Sequence, residues 1–114
     1  MATIEIPFSR EMAIAAIDGR KVATTRGERK GNVGDEFAIE DPRLKEEGIE
    51  VYFPNRKYRI IDIIPVQLYV VKNMYFRLEG IGSPSAFEQT WRELHRGEFD
   101  ETAVKYMHIF GRIA

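Results

Sequence analysis

Tyr58-Arg59-Ile60-Ile61-Asp62-Ile63-Ile64 is the stretch on which the fold turns. Its isoleucines are β-branched, stiff at χ1 and better suited to a pleated surface than to a helix. The near-continuous apolar run predicts a strand over 58–64 buried on both faces. Pro65 removes a backbone donor and interrupts it, so residues 66–71 read as a bent continuation or a new strand.

Toward the C-terminus, Asn73 caps a predicted short helix carrying Met74, Tyr75 and Leu78 and ended by Gly80. Ser83-Pro84 is a helix start with proline at the first helical position. Phe87, Trp91 and Leu94 follow at i, i+4 and i+7, the stripe of a helix packed on a core, and Gly97 closes it. Residues 103–113 read as a last strand, with Val104, Tyr106, His108 and Phe110 on one face and Met107, Ile109 and Ile113 on the other.

Toward the N-terminus, residues 49–53 alternate as a strand, with a turn at Pro54-Asn55, and 41–48 form a charged loop. Residues 37–40 are a short strand, 27–32 a basic turn and 22–26 a strand rich in Val and Thr. Ser9 caps a helix through Asp18 with Met12, Ala13, Ala16 and Ile17 on one face, and Gly19 takes the position just past its end. Residues 3–8 read as a first strand, stopped by Pro7 near its end. Short strands interspersed with two or three helices predict an α+β fold, a small partly open β-barrel with helices outside, in one domain over 1–114.

Composition narrows the function. With 44% apolar and 31% charged residues, 114 residues suffice for a real core. No run approaches the ~18 apolar residues of a membrane span, so no membrane partner is expected. Cysteine is absent, which excludes disulfides, iron–sulfur clusters and thiolate zinc sites, and two histidines make a poor metal set. Walker A, GxGxxG, GxSxG and HExxH patterns are missing too, so neither metal nor cofactor is expected. Glu5 sits where a signal peptide would be basic then apolar, and the cytoplasm is the expected location.

A net charge of −1 makes no bulk case for nucleic acid, but the charge is unevenly spread. Arg20, Lys21, Arg26, Arg29 and Lys30 cluster against Glu28 alone, and residues 35–50 reverse the balance. Two solvated loops of opposite sign fit this pattern, and so does a local anion-binding patch. His95, at a helix end, reads as a solvated cap, and His108 as a satisfied core or barrel-mouth histidine. Tyr52, Phe53 and Tyr58 fit cross-strand packing and also a base-stacking platform. Residues 20–26 combine cations just after a helix end with hydroxyls on a strand. This suits an anion or a polar base edge, and equally a hydroxyl nucleophile served by a desolvated lysine.

The order of four motifs resembles the ASCH domain family of the PUA-like β-barrel superfamily, over nearly the whole chain. They are Gly19-Arg20-Lys21-x-x-Thr24, Gly34-Asp35-Glu36-Phe37, Glu79-Gly80-Ile81-x-Ser83-Pro84-x-x-Phe87-x-x-x-Trp91 and Tyr106-x-His108-x-Phe110. Val22 stands where the usual Gly-Arg-Lys-Thr motif has its threonine. The resemblance implies a PUA-like barrel and a role directed at RNA or a modified nucleoside. In small bacterial members that remove the acetyl group of acetylcytidine, the working lysine, threonine and glutamate match Lys21, Thr24 and Glu79. Arg20, Lys21 and Arg26 are the expected substrate- or nucleic-acid-binding residues. The alternative is a non-enzymatic RNA-binding module that uses the basic cleft only for recognition. One geometric tension follows, because residues three apart on a regular strand point to opposite faces.

Overall fold

The computed structural model describes residues 2–48 and 56–114. The strand and turn expected at 49–55, with Tyr52 and Phe53, lie outside the described residues. In chain order the elements are α1 (Arg10–Ile17), β1 (Ala23–Arg26), β2 (Glu36–Ile39), α2 (Pro42–Glu46), β3 (Arg56–Gln67), α3 (Leu68–Val70), α4 (Pro84–Leu94) and β4 (Val104–Arg112). A π-helical turn, Val71–Tyr75, continues α3. The strands form one curled antiparallel sheet in the order β1-β4-β3-β2, a half-barrel with the helices around it. The α+β half-barrel matches the expectation from sequence.

The core has two centres. Phe37, Tyr58, Ile60, Ile63 and Phe110 from the sheet pack with Ile6, Ala13 and Ala16. Phe110 stands edge-on to Phe37 and Tyr58, with centroids 5.3 and 5.5 Å apart, the arrangement aromatic quadrupoles favour. Leu68, Val71, Phe87 and Trp91 form the second centre between α3, its π-helical extension and α4. Ser9 and Ser83 cap α1 and α4 through their hydroxyls, which accept from the Met12 and Ala86 amides. His108 is fully buried, as a core histidine. Its Nε2 accepts from the Lys30 amide at 2.8 Å, so Nδ1 carries the proton toward the Tyr106 and Thr24 carbonyls.

Several local expectations are corrected. Residues 3–8 are not a strand: Thr3 alone forms a bridge, parallel to Glu36, while Ile6 turns into the core and Pro7 has no amide to donate. β3 is not buried on both faces. Ile60 pairs with Phe110 and Asp62 with Ile109, so Ile61 is an extra, bulged residue that resets the alternation and is 59% exposed. Pro65 does not interrupt β3, because β2 pairs only as far as Arg59 and no strand among the described residues lies beside Pro65 on that side. Residues 68–71 turn helical instead of forming a strand, and Asn73 lies inside that turn, donating to the Tyr69 carbonyl instead of capping. The charged loop at 41–48 contains α2. Leu94, the last residue of α4, extends beyond the second core centre and is 67% exposed.

Candidate functional site

Between the two core centres lies a cleft of about 450 Å³. Phe8 walls one side, Phe87, Trp91 and His95 another, and Lys21, Thr24, Thr25, Arg26 and Glu79 supply the polar groups. A larger, more open groove of about 630 Å³ runs past Ile6, Phe8, Ile39, Arg10 and Glu46. Arg10 and Glu46 bond to each other there, and the titratable residues lining the groove, these two and Glu40, are all exposed.

Backbone geometry brings Lys21 and Glu79 together. The two residues form an isolated antiparallel bridge, and the Val22 and Ala23 amides both donate to the Leu78 carbonyl. This covers the otherwise open edge where β1 begins. Gly80 makes the approach feasible: its φ is +77°, and a Cβ there would stand 2.9 Å from Lys21 Cβ. The same bridge resolves the spacing tension. Regular pairing with β4 starts at Ala23, and Val22 turns outward between it and the bridge, so Lys21 and Thr24 do not share one strand phase. Both line the cleft.

Lys21 is 3% exposed and Glu79 4%. Lys21 Nζ donates to the Glu79 carbonyl at 3.1 Å and lies 3.9 Å from its Oε2. Glu79 Oε1 accepts from the Thr25 amide at 3.0 Å. Among the described residues, Glu79 Oε2 and Thr25 Oγ1 are buried without a hydrogen-bond partner. Arg26 spans the mouth: Nε donates to Thr24 Oγ1 at 3.1 Å, one terminal nitrogen donates to the Pro7 carbonyl at 2.7 Å, and the guanidinium lies over the Phe8 ring.

Burial pushes the Lys21 amine below its ordinary value; Glu79 opposes this and Arg26 adds to it. Burial pushes the Glu79 carboxyl up, against Lys21, the Thr25 amide and Arg26. Each shift favours a neutral group. The guanidinium keeps its charge, so a second cation beside it on Lys21 is disfavoured. The cleft therefore holds a lysine amine whose charged form is disfavoured together with a threonine hydroxyl held by Arg26.

Of the five residues singled out from sequence, Lys21, Thr24, Arg26 and Glu79 line the cleft. Arg20 does not; it is exposed and pairs with Asp18 at 3.6 Å. Sequence reasoning missed Thr25, Phe8 and the involvement of His95. For His95 a signal existed, since i+4 from Trp91 places it on the same helix face.

In fold, the curled antiparallel half-barrel is that of an ASCH domain. The chain is similar to the ASCH domain from Lactobacillus crispatus JV V101, with a TM-score of 0.63 and 19% identity over 97% of this chain and 78% of that one. It is also similar to a DUF984 protein from Enterococcus faecalis V583, with a TM-score of 0.63 and 15% identity over 98% and 75% of the two chains. No family model and no curated protein matches the sequence. Among the described residues no helix is long and apolar enough to cross a membrane.

Proposed function

We propose that this chain is an amidohydrolase acting on a modified nucleoside, of which acetylcytidine is the type. One observation carries the reading: a buried lysine whose charge is disfavoured shares a cleft with a held threonine hydroxyl, the buried carboxyl group of Glu79 and aromatic walls. Thr24 Oγ1 attacks the acetyl carbonyl while its proton passes to the neutral Lys21 amine. The tetrahedral adduct collapses, the C–N bond breaks, and Lys21 returns the proton to the leaving nitrogen of the base. Water then hydrolyses the Thr24 acetyl ester with Lys21 again as base, giving acetate and restoring the hydroxyl. Arg26 Nε, already on Thr24 Oγ1, fixes the nucleophile's rotamer. The unpartnered Glu79 Oε2 is an acceptor for the amide N–H of the substrate.

The experiment is incubation of the pure protein with acetylcytidine, following release of cytidine, with Lys21→Ala and Thr24→Ala alongside. Both variants lose turnover, and Thr24→Ala keeps nucleoside binding because the lost group acts in the transition state. Undiminished turnover in Thr24→Ala removes the nucleophile assignment.

The second reading, an RNA-binding module without chemistry, draws on the cationic residues at the cleft. Against it, Arg26 is committed to Thr24 and Pro7, Lys21 is buried, and Arg20 stands outside. A neutral nucleoside binds with little salt dependence, whereas a module neutralising several phosphates weakens steeply with salt. A steep slope on RNA together with no deacetylation would favour the module.

A further inference from the structure

We propose that the His95 ring is a stacking platform for a flat heteroaromatic ring of the ligand, and thereby selects which amides the cleft accepts. This rests on the nucleoside-directed reading above and adds a specificity-determining residue to it.

Phe87, Trp91 and His95 recur at i, i+4 and i+8, and their rings form a ladder along α4 and its C-terminal end. The Phe87 and Trp91 rings stack with centroids 6.2 Å apart, and His95 lies on Trp91 at 4.0 Å with 10° between the planes. His95 Nδ1 is 2.8 Å from the Trp91 carbonyl, which can only accept, so Nδ1 carries the proton and donates. Stack and hydrogen bond together fix both the position and the tilt of the imidazole, so little conformational freedom remains to be lost when a ligand lands on it. Phe87 and Trp91 are buried and His95 is exposed, so the ladder runs from the second core centre out to the cleft and ends in the exposed imidazole of a cleft-lining residue.

The surroundings fit a flat ring better than a phosphate. Leu94 is largely exposed beside His95, and Met12 and Phe8 also line the cleft, making an apolar rim over the polar floor of Lys21, Thr24 and Glu79. A ligand that lays an aromatic base against the rim and directs its exocyclic amide to the floor satisfies both. Base–aromatic stacking of this kind tolerates many ring types, while a puckered aliphatic ring lacks the π-face to exploit it. A histidine serving only as a helix cap needs the Nδ1 contact but not the ring, and this separates the two roles.

The protein has a single tryptophan, Trp91, directly beneath His95, so its fluorescence reports ligand stacking. Acetylcytidine is titrated into the wild type, His95→Ala, His95→Asn and His95→Phe, with N-acetylcyclohexylamine as the puckered control. Binding of acetylcytidine weakens roughly tenfold to a hundredfold in His95→Ala and His95→Asn. His95→Phe, which keeps a flat face and loses the capping nitrogen, stays within about threefold of wild type. The cyclohexyl amide shows no such pattern. Equal affinity for wild type and His95→Ala, equal affinity for the Asn and Phe variants, or no acetylcytidine binding by the wild type overturns the platform. Deacetylation assayed on the same samples keeps the two ideas apart. The predicted affinity pattern without turnover removes hydrolysis and leaves the platform. Turnover with an unchanged KM in His95→Ala removes the platform and leaves hydrolysis.

Discussion

Replacing Gly80 by alanine perturbs fold and cleft at one point. At φ +77° a side chain adds the left-handed penalty of about 1–2 kcal/mol. The new Cβ would also stand 2.9 Å from Lys21 Cβ, 3.1 Å from Ala15 Cβ and 3.3 Å from Lys21 Cα, and two of these neighbours are short, stiff groups that cannot swing away. Overpacking of this kind costs about 1–3 kcal/mol, so the total is about 2–5 kcal/mol. Gly97 is the internal control, with φ +82° and nothing within 4 Å of its would-be Cβ, so Gly97→Ala carries only the conformational part, about 1–2 kcal/mol. Urea melts at constant m give both numbers. Gly80→Ala should also push Lys21 off the Glu79 bridge, and on the proposed mechanism that displacement lowers kcat about tenfold or more even at temperatures where the variant is folded. A Gly80→Ala loss within about 0.5 kcal/mol of the Gly97→Ala loss would refute the close-approach argument.

Trp91→Ala should cost about 3–5 kcal/mol, since the indole is buried against Phe87, Leu68 and Val71; a loss under about 1 kcal/mol in denaturant would mean that α4 is not anchored there. On the proposed mechanism the ascending, acidic limb of kcat/KM should follow Lys21, with a midpoint below the ordinary lysine value, because only the neutral amine accepts a proton. Arg26→Gln removes a neighbouring cation and should move that limb to higher pH, so an unmoved limb separates Arg26 from the Lys21 amine. The Ala2 and Asn32 amides hold the Asp35 carboxyl below its ordinary value, so its contribution to stability is present above about pH 3.9 and lost as pH falls through the depressed value. Thermal melts of Asp35→Asn should therefore lie below wild type near neutrality and converge with it in strong acid, and a gap independent of pH would contradict this.

Elements whose signals are local were legible in the sequence. Ser9 and Ser83 announce two helix starts, and the Phe87–Trp91 spacing announces the buried face of the second. What failed depended on partners far along the chain. The Ile61 bulge exists only because β4 resets register there, and Pro65 is harmless only because β2 has already ended. An isoleucine-rich run cannot reveal which of its neighbours is missing, so burial on both faces was the natural reading and the wrong one. Leu94 failed for a related reason: helical periodicity gives a direction, but the core centre it points toward has a finite length.

The polar centre shows the same division more sharply. Lys21 and Thr24 are close in sequence, yet on one regular strand they would point apart. Glu79 lies 58 residues from Lys21, yet its main chain decides the matter. By bridging Lys21 outside the β1 ladder, residues 78–80 let Val22 turn outward and free Thr24 from the phase of Lys21. That bridge requires a close backbone contact, which Gly80 provides, and it buries the amine, which lowers its proton affinity. One glycine thus links chain path, burial and charge state. This is why variants at Gly80, a residue with no functional group of its own, should change the chemistry of the cleft as well as the stability of the fold.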